Sequence, residues 1–336
     1  NSQAVYIIAE AGVNHNGRLD LALRLCDAAK EAGVDCVKFQ TWQTDKIVTQ
    51  KAEKATYQSE NTNNAEESQY EMLKKLELSY EDFRIVKKHC EEIGIDFLST
   101  PDEEYSLAFL MDELKLSLIK IGSGEVTNIP YLRRMASYHK PVILSTGMAT
   151  LAQVATAYDT LMDAGAPSVA LLHCTTNYPC PKNEVNLRAM LTMKDAFKCQ
   201  VGYSDHTMGI EIPIAAVAMG AEIIEKHFTL DRDMEGPDHK ASLEPQELKA
   251  MVDAIRNTEI ALGDGIKRPN KSEVEISKVV FKSIVAKKPI TKGELLTSKN
   301  LTIKRAGAGI PAAHWDIVMG TKSLHDYEID EPIRIN

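Results

Sequence analysis

Eight short apolar runs recur along the chain, and each stops at polar or charged residues: VYIIAE, CVKFQ, DFLST, LIKIGS, PVILST, VALLHC, QVGYSDHT and EIIEKHFT. Their starts fall near residues 5, 36, 96, 118, 141, 169, 200 and 222. Runs this short, apolar on both faces, are the pattern of strands buried in a parallel sheet. Between them, apolar residues recur at helical spacing. Leu19–Gly33 closes on a glycine, and Ser79–Gly94 opens on Ser79 and Asp82 and closes the same way. YLRRMASYH, LAQVATAYDTLMDAG and EIPIAAVAMGAE fill later gaps. Most intervals run about 20–30 residues, the size of one strand–helix unit. The pattern predicts a (β/α)8 TIM barrel, which gathers its chemistry at the C-terminal ends of the strands.

Two departures interrupt the pattern. Between residues 40 and 96 a polar insertion, TWQTDKIVTQKAEKATYQSENTNNAEESQYEML, follows the second strand on the presumed active face. Long loops there cover substrate or carry binding residues; disorder of ENTNNAEES is the competing reading. After EIALGDGIKRPNKSE the barrel pattern ends, and short β-rich segments follow, VVFKSIVA, PITKGELLTSKNLTIKR, AGAGIPAAHWD and EIDEPI. We therefore read a barrel over 1–266, a linker over 267–278 and a small domain over 279–336. A domain that small is marginal alone and is expected to lean on the barrel or on a second subunit.

Composition narrows the partners. A hydrophobic content of 44% with 6% aromatic residues is ordinary for a soluble globular chain. The net charge of −9 argues against a general nucleic-acid or anionic-membrane surface. No apolar stretch approaches the ~20 residues that span a bilayer. The start, NSQAVYIIAE, lacks the basic region of a signal peptide, so a cytoplasmic enzyme is expected. Cys26, Cys36, Cys90, Cys174, Cys180 and Cys199 form no CxxC pair and read as reduced thiols.

The strand ends carry the candidate chemistry. His206 and His227 leave neighbouring strands 7 and 8 and can converge on one divalent ion, with positions left for water and substrate. Asp205, beside His206, reads as an orienter of that ligand. A lone histidine is ordinarily structural, and His89, His139 and His325 read that way. Lys38 and Lys120 end strands 2 and 4, where a lysine is expensive unless an anion pairs with it. With Thr100, Ser123, Ser145 and Ser204 they suit a phosphate or carboxylate. A Schiff-base role for Lys120, as in an aldolase, is the rival. Glu10, Glu125 and Asp238 add carboxylates that orient hydroxyls or move protons.

Nine motifs in order, EAGVNHNG (10–17), VKFQT (37–41), LSTP (98–101), KIGSGE (120–125), LSTGM (144–148), LLHCTTNYP (171–179), GYSDHT (202–207), EKHFT (225–229) and GPDHKASLEP (236–245), resemble the sialic acid synthases. These enzymes condense phosphoenolpyruvate with an N-acylmannosamine-type sugar. The C-terminal KSIVA, KGE and NLTIKR look like the antifreeze-like (SAF) domain they append to their barrel. The resemblance implies that His206 and His227 ligate a divalent metal, most often Mn²⁺, with Mg²⁺ or Co²⁺ as substitutes. It implies that Lys38, Thr100, Lys120, Ser123, Ser145, Tyr178 and Ser204 hold phosphoenolpyruvate. Glu10, Gln40, Asn64 and Asp238 would contact the sugar, and Glu125 would stand beside the reacting carbons. It further implies a domain-swapped homodimer, in which Arg305 and Phe281 of one subunit complete the other's pocket. The implied product is N-acetylneuraminate from N-acetylmannosamine. The alternative is legionaminic acid from a 2,4-diacetamido-trideoxyhexose, with Gln40, Asn64 and Tyr57 around the residues that decide. A carbohydrate-binding module is the non-enzymatic rival, and it leaves the polar strand ends unexplained.

Overall fold

The computed structural model of the protein describes residues 4–62, 64 and 66–334. Eight strands stand where the apolar runs are: β1 (Tyr6–Gly12), β2 (Cys36–Thr41), β3 (Asp96–Pro101), β4 (Ile119–Ile121), β5 (Val142–Ser145), β6 (Val169–His173), β7 (Val201–Asp205) and β8 (Ile223–His227). Their order is β3-β2-β1-β8-β7-β6-β5-β4, and the ladders are parallel. The two ends of that row, β3 and β4, lie against each other, so the sheet curls into the expected barrel. One continuous core fills it, from Ile7 and Ile8 through Leu171 and Leu172 to Ile224, all fully buried.

Helices pack outside the strands because their caps and apolar stripes agree. Leu19–Ala32 buries Leu21, Ala22, Leu25, Cys26 and Ala29 on one face. Ser79 accepts from the Asp82 amide at 3.1 Å and opens the helix Tyr80–Ile93. Both helices end on glycines in the left-handed region, Gly33 at φ 82° and Gly94 at φ 72°, where a Cβ would add strain.

Among the described residues, the insertion after β2 carries three short helices. Thr44–Ile47, Thr56–Asn61 and Gln69–Leu76 precede the Tyr80–Ile93 helix. Met72 and Leu76 join Trp42 and Val13 in a small apolar cluster of their own. In the ENTNNAEES stretch, Asn63 and Ala65 lie outside the described residues.

Residues 264–336 form a second compact unit. β9 (Ser283–Ala286) pairs antiparallel with β10 (Leu301–Lys304), over a core of Ile284, Ile290, Leu301, Tyr327 and Ile333. Much of the segment read as a linker is a helix, Lys271–Val280. The Glu273 carboxylate reaches back to the Asn270 amide at 2.8 Å, an N-terminal cap that stabilises a helix with no buried side chain of its own. Among the described residues no helix is long and apolar enough to cross a membrane, and the six cysteines are free thiols.

Candidate active site

The strand register builds the floor of the barrel mouth. Glu10 stands opposite both Lys38 on β2 and His227 on β8, and Ser204 stands opposite Glu225. Side chains alternate faces along a strand, so Glu225 and His227 share the inner face while Lys226 between them points away. Lys226 instead meets Asp205 at 2.6 Å, both fully buried. Asp205 also binds the Thr207 amide and hydroxyl, each at 3.0 Å. The orienter role expected for Asp205 therefore falls elsewhere: the His206 Nδ1 contact is the Thr175 carbonyl at 2.6 Å.

Four buried charges interlock on the inner face. Lys38 Nζ lies 2.5 Å from Glu10 and 3.7 Å from Glu225. Lys120 Nζ lies 3.5 Å from the same Glu225 oxygen. Hydroxyls complete the set: Lys38 donates to Thr100 at 3.1 Å, Lys120 to Ser145 at 2.8 Å, and Ser204 to Glu225 at 2.8 Å. Gln40 donates to Glu10 at 3.1 Å. Burial disfavours every charge here, so neighbours decide the outcome. For Glu225 burial is outweighed by Lys120 and Lys38, which hold its carboxyl down at about 2. For Lys38 burial is outweighed by Glu10 and Glu225, and its pKa rises. Burial prevails at the other two, raising Glu10 and lowering Lys120.

Ser123 sits just above, accepting from the Gly147 amide at 2.9 Å and touching Cys174 Sγ at 3.2 Å. Glu125 closes the same short turn, half-buried, with Asn128 donating to it at 2.7 Å.

The two histidines meet across the mouth, with ring centres 5.4 Å apart. Tyr178 covers both, at 4.1 Å from His206 and 5.4 Å from His227. Burial lowers the pKa of each imidazole, and His206 lowers that of His227 further, which keeps both neutral. His227 Nδ1 is buried without a hydrogen-bond partner, and Asp238 Oδ2 lies 3.9 Å from it. A neutral imidazole pair with an orphaned ring nitrogen fits a divalent cation. Among the described residues no group of three or more His, Cys, Asp or Glu side chains is placed as a complete cage. His89 and His139 have local partners, Asp27 at 2.6 Å and the Gly165 carbonyl at 2.9 Å.

The insertion reaches this centre. Tyr57 packs on Tyr178 at 5.1 Å. Asn61 donates to the Tyr178 carbonyl at 3.2 Å and to the Pro237 carbonyl at 2.6 Å, joining the loops after β6 and β8. Asn64 is exposed and lines a groove with Pro179, Met208 and Glu235 beside the rim. Phe281 and Arg305 belong to the second unit, where both are exposed.

Two residues escaped the sequence reading. Glu225 was passed over because it stands inside an apolar run, although its two-residue offset from His227 puts it on the same face. Asn61 was hidden in a polar stretch with no local signal.

The NeuB family model matches residues 25–267, and a SAF domain model matches 281–336. The chain belongs to the NeuB family. Over 330 residues it is 52% identical to the N,N'-diacetyllegionaminic acid synthase of Campylobacter jejuni, covering 98% of each chain. It is 47% identical to the enzyme of that name from Legionella pneumophila, covering 96% of this chain and 91% of the relative. Among solved structures, the N-acetylneuraminic acid synthetase of Leptospira borgpetersenii superposes with a TM-score of 0.71 at 36% identity, over 83% of this chain and 93% of that one. The barrel and SAF architecture read from the sequence holds, and so does the resemblance to sialic acid synthases.

Proposed function

We propose that this NeuB-family enzyme is a nonulosonic acid synthase that condenses phosphoenolpyruvate with a 2,4-diacetamido-trideoxyhexose and water, giving N,N'-diacetyllegionaminate and phosphate. The observation that carries the reaction class is the buried Lys38–Glu225–Lys120 cluster with its ring of hydroxyls. It is a built receptor for a small polyanion. The acceptor follows the relatives at 52% and 47% identity, which favour the legionaminate alternative over N-acetylmannosamine.

In this reading Lys38, Lys120, Thr100, Ser123, Ser145, Tyr178 and Ser204 bind phosphoenolpyruvate. Glu10, Gln40, Asn64 and Asp238 bind the sugar. His206 and His227 would hold a divalent metal, with Mn²⁺ the first candidate, and such an ion supplies Lewis acidity to a sugar aldehyde. The enol carbon of phosphoenolpyruvate attacks the aldehyde carbon, leaving C2 electron-poor and the former aldehyde oxygen in need of a proton. Water adds at C2, and Glu125 takes one of its protons and passes it to that oxygen. The C–O bond to phosphate then breaks, phosphate leaving with the bonding pair and the remaining hydroxyl proton, so that C2 becomes the keto carbon. The two lysines and their hydroxyl partners are in place before charge shifts during the reaction, so little reorganisation is needed. Free cysteines suit the cytoplasm. The Schiff-base alternative is disfavoured by Lys120 being hydrogen-bonded to Ser145 and set beside Glu225.

Phosphate release from phosphoenolpyruvate with a panel of aminosugars tests both halves. The 2,4-diacetamido sugar should give a kcat/KM at least about tenfold above that of N-acetylmannosamine. Equal or inverted rates would overturn the acceptor, and no release with any sugar would overturn the reaction class. We further infer a homodimer in which Phe281 and Arg305 complete the partner's pocket; a phenylalanine 74% exposed has little use on an isolated domain. Mixing an Arg305→Ala subunit with a His206→Ala subunit should restore activity to heterodimers. Activity no higher than that of the two parents would mean the small domain does not complete its partner.

A further inference from the structure

Lys54 lies in the insertion, where lysines are ordinarily solvated, yet its side chain is only 1% exposed. Its ammonium has three acceptors: Thr62 Oγ1 at 3.2 Å, the Asn64 carbonyl at 2.5 Å and Glu67 Oε2 at 3.1 Å. Three donors meeting three acceptors is a saturated ammonium. Burying it costs desolvation and side-chain entropy, so the arrangement is stable only when every partner is in place.

All three partners bracket Asn64: Thr62 before it, its own carbonyl, and Glu67 after it. Thr62 itself donates back to the Gln58 carbonyl at 2.7 Å, tying the turn to the Thr56–Asn61 helix. That helix is anchored on the rim through Asn61, which joins the loops bearing Tyr178 and Asp238. Asn64 Oδ1 is occupied by the Glu67 amide at 3.2 Å, while its amide nitrogen makes no hydrogen bond among the described residues. Asn64 thus keeps one donor without a partner among the described residues, and the residue lines the groove that also includes Pro179 and Met208.

We propose that Lys54 is a positioning residue for the sugar acceptor: with Glu67 it latches the turn so that the Asn64 amide is held ready for the acceptor's oxygen atoms. The proposal rests on the reading of Asn64 as an acceptor contact. A preset donor saves the ordering cost that a loose loop would incur on binding, so the latch acts on acceptor affinity and leaves the phosphoenolpyruvate end unchanged.

Steady-state kinetics with both substrates tests this on the full chain. Lys54→Met keeps the apolar stem and removes the charge. It should raise the acceptor KM at least about tenfold with the phosphoenolpyruvate KM within about twofold, and Lys54→Arg should restore most of the loss. Equal rises in both KM values, no change in either, or a lower Tm alone would overturn the latch. If Lys54→Met does not fold, Glu67→Ala asks the same question; Lys54 then retains two acceptors, Thr62 and the Asn64 carbonyl, so a rise of about threefold in acceptor KM is expected and none overturns the proposal. Asn64→Ala separates the latch from the reading beneath it. A raised acceptor KM in Asn64→Ala with none in Lys54→Met removes the latch and leaves Asn64 in place. A silent Asn64→Ala removes the acceptor role of Asn64 and with it the role given to Lys54.

Discussion

The floor of the barrel mouth and the insertion that reaches over it are held by different kinds of contact. On the floor, side chains from β1, β2, β4 and β8 form ion pairs with one another, and strand register alone places them. In the insertion the helices are four to eight residues long up to Leu76, and side-chain-to-backbone bonds such as those of Asn61 and Lys54 do the holding. Strand-borne groups cannot move without disturbing the core, whereas insertion-borne groups can change with little cost elsewhere. Under the proposed function the division is not clean: Glu10 and Gln40 would meet the sugar from the fixed floor, and Asn64 from the insertion.

The largest expected effect falls on the strand ends. His206→Ala or His227→Ala should lower kcat by more than the ~10–100-fold typical of losing a mere outer-shell partner of a metal site. The Tm should fall only modestly, because the rings, though buried, sit at the mouth of the barrel against Tyr178 and each other. Turnover near wild type in both variants with added Mn²⁺ would remove the metal from this part of the comparison.

Next come the lysines. Lys120→Ala should raise the phosphoenolpyruvate KM about 100-fold, roughly 3 kcal/mol, the order expected when a buried anion loses its partner. Lys38→Ala should act in the same direction. A change confined to the sugar KM would mean that the two ends of the site have been assigned the wrong way round.

The unequal legibility of these regions has a physical cause. Strand starts read at 118, 141, 200 and 222 are observed at Ile119, Val142, Val201 and Ile223, because strands buried on both faces leave an unbroken apolar record. The same record conceals direction. EIIEKHFT gives no sign that Glu225 faces in and Lys226 out until its register with Ser204 and Asp205 is known. Asp205 was misread for that reason. In the insertion the signals were local and weak but present. Ser68 and Glu71 form a reciprocal cap, with bonds of 2.9 and 3.2 Å, at the head of Gln69–Leu76. The Lys271–Val280 helix opens likewise, on Asn270 and Glu273, inside what composition presents as a linker. Capping pairs reveal such helices better than hydropathy, since they bury little.

A smaller effect is expected at Tyr57, the aromatic contact of the insertion with Tyr178. Removing one aromatic pair costs about 0.5–1.5 kcal/mol beyond buried area, so Tyr57→Ala should raise the acceptor KM about threefold to tenfold. The phosphoenolpyruvate KM should rise by less, although Tyr178 is assigned to that substrate. Parallel losses in both would show that the insertion also shapes the floor, through Tyr178.

The smallest effect tests the boundary between the two regions. Asp102 follows β3, and its amide donates to the Thr41 carbonyl at 3.1 Å. Its carboxyl makes no hydrogen bond among the described residues. Burial lifts its pKa from the ordinary 3.8 to about 7; Lys38 opposes the shift, and Glu125 and Glu10 add to it. The folded protein therefore binds this proton more tightly than the unfolded chain does. The stabilisation is fully present below pH about 4 and is lost as pH rises through about 7. Asp102→Asn cannot ionise, so it should be spared that loss. Between pH 5 and 8 the wild-type Tm should fall by about 2–4 °C more than that of Asp102→Asn, a difference on the order of 1 kcal/mol. Superimposable Tm curves would mean that Lys38 keeps the carboxylate ionised across this range, extending the charge network of the floor one residue further towards the rim.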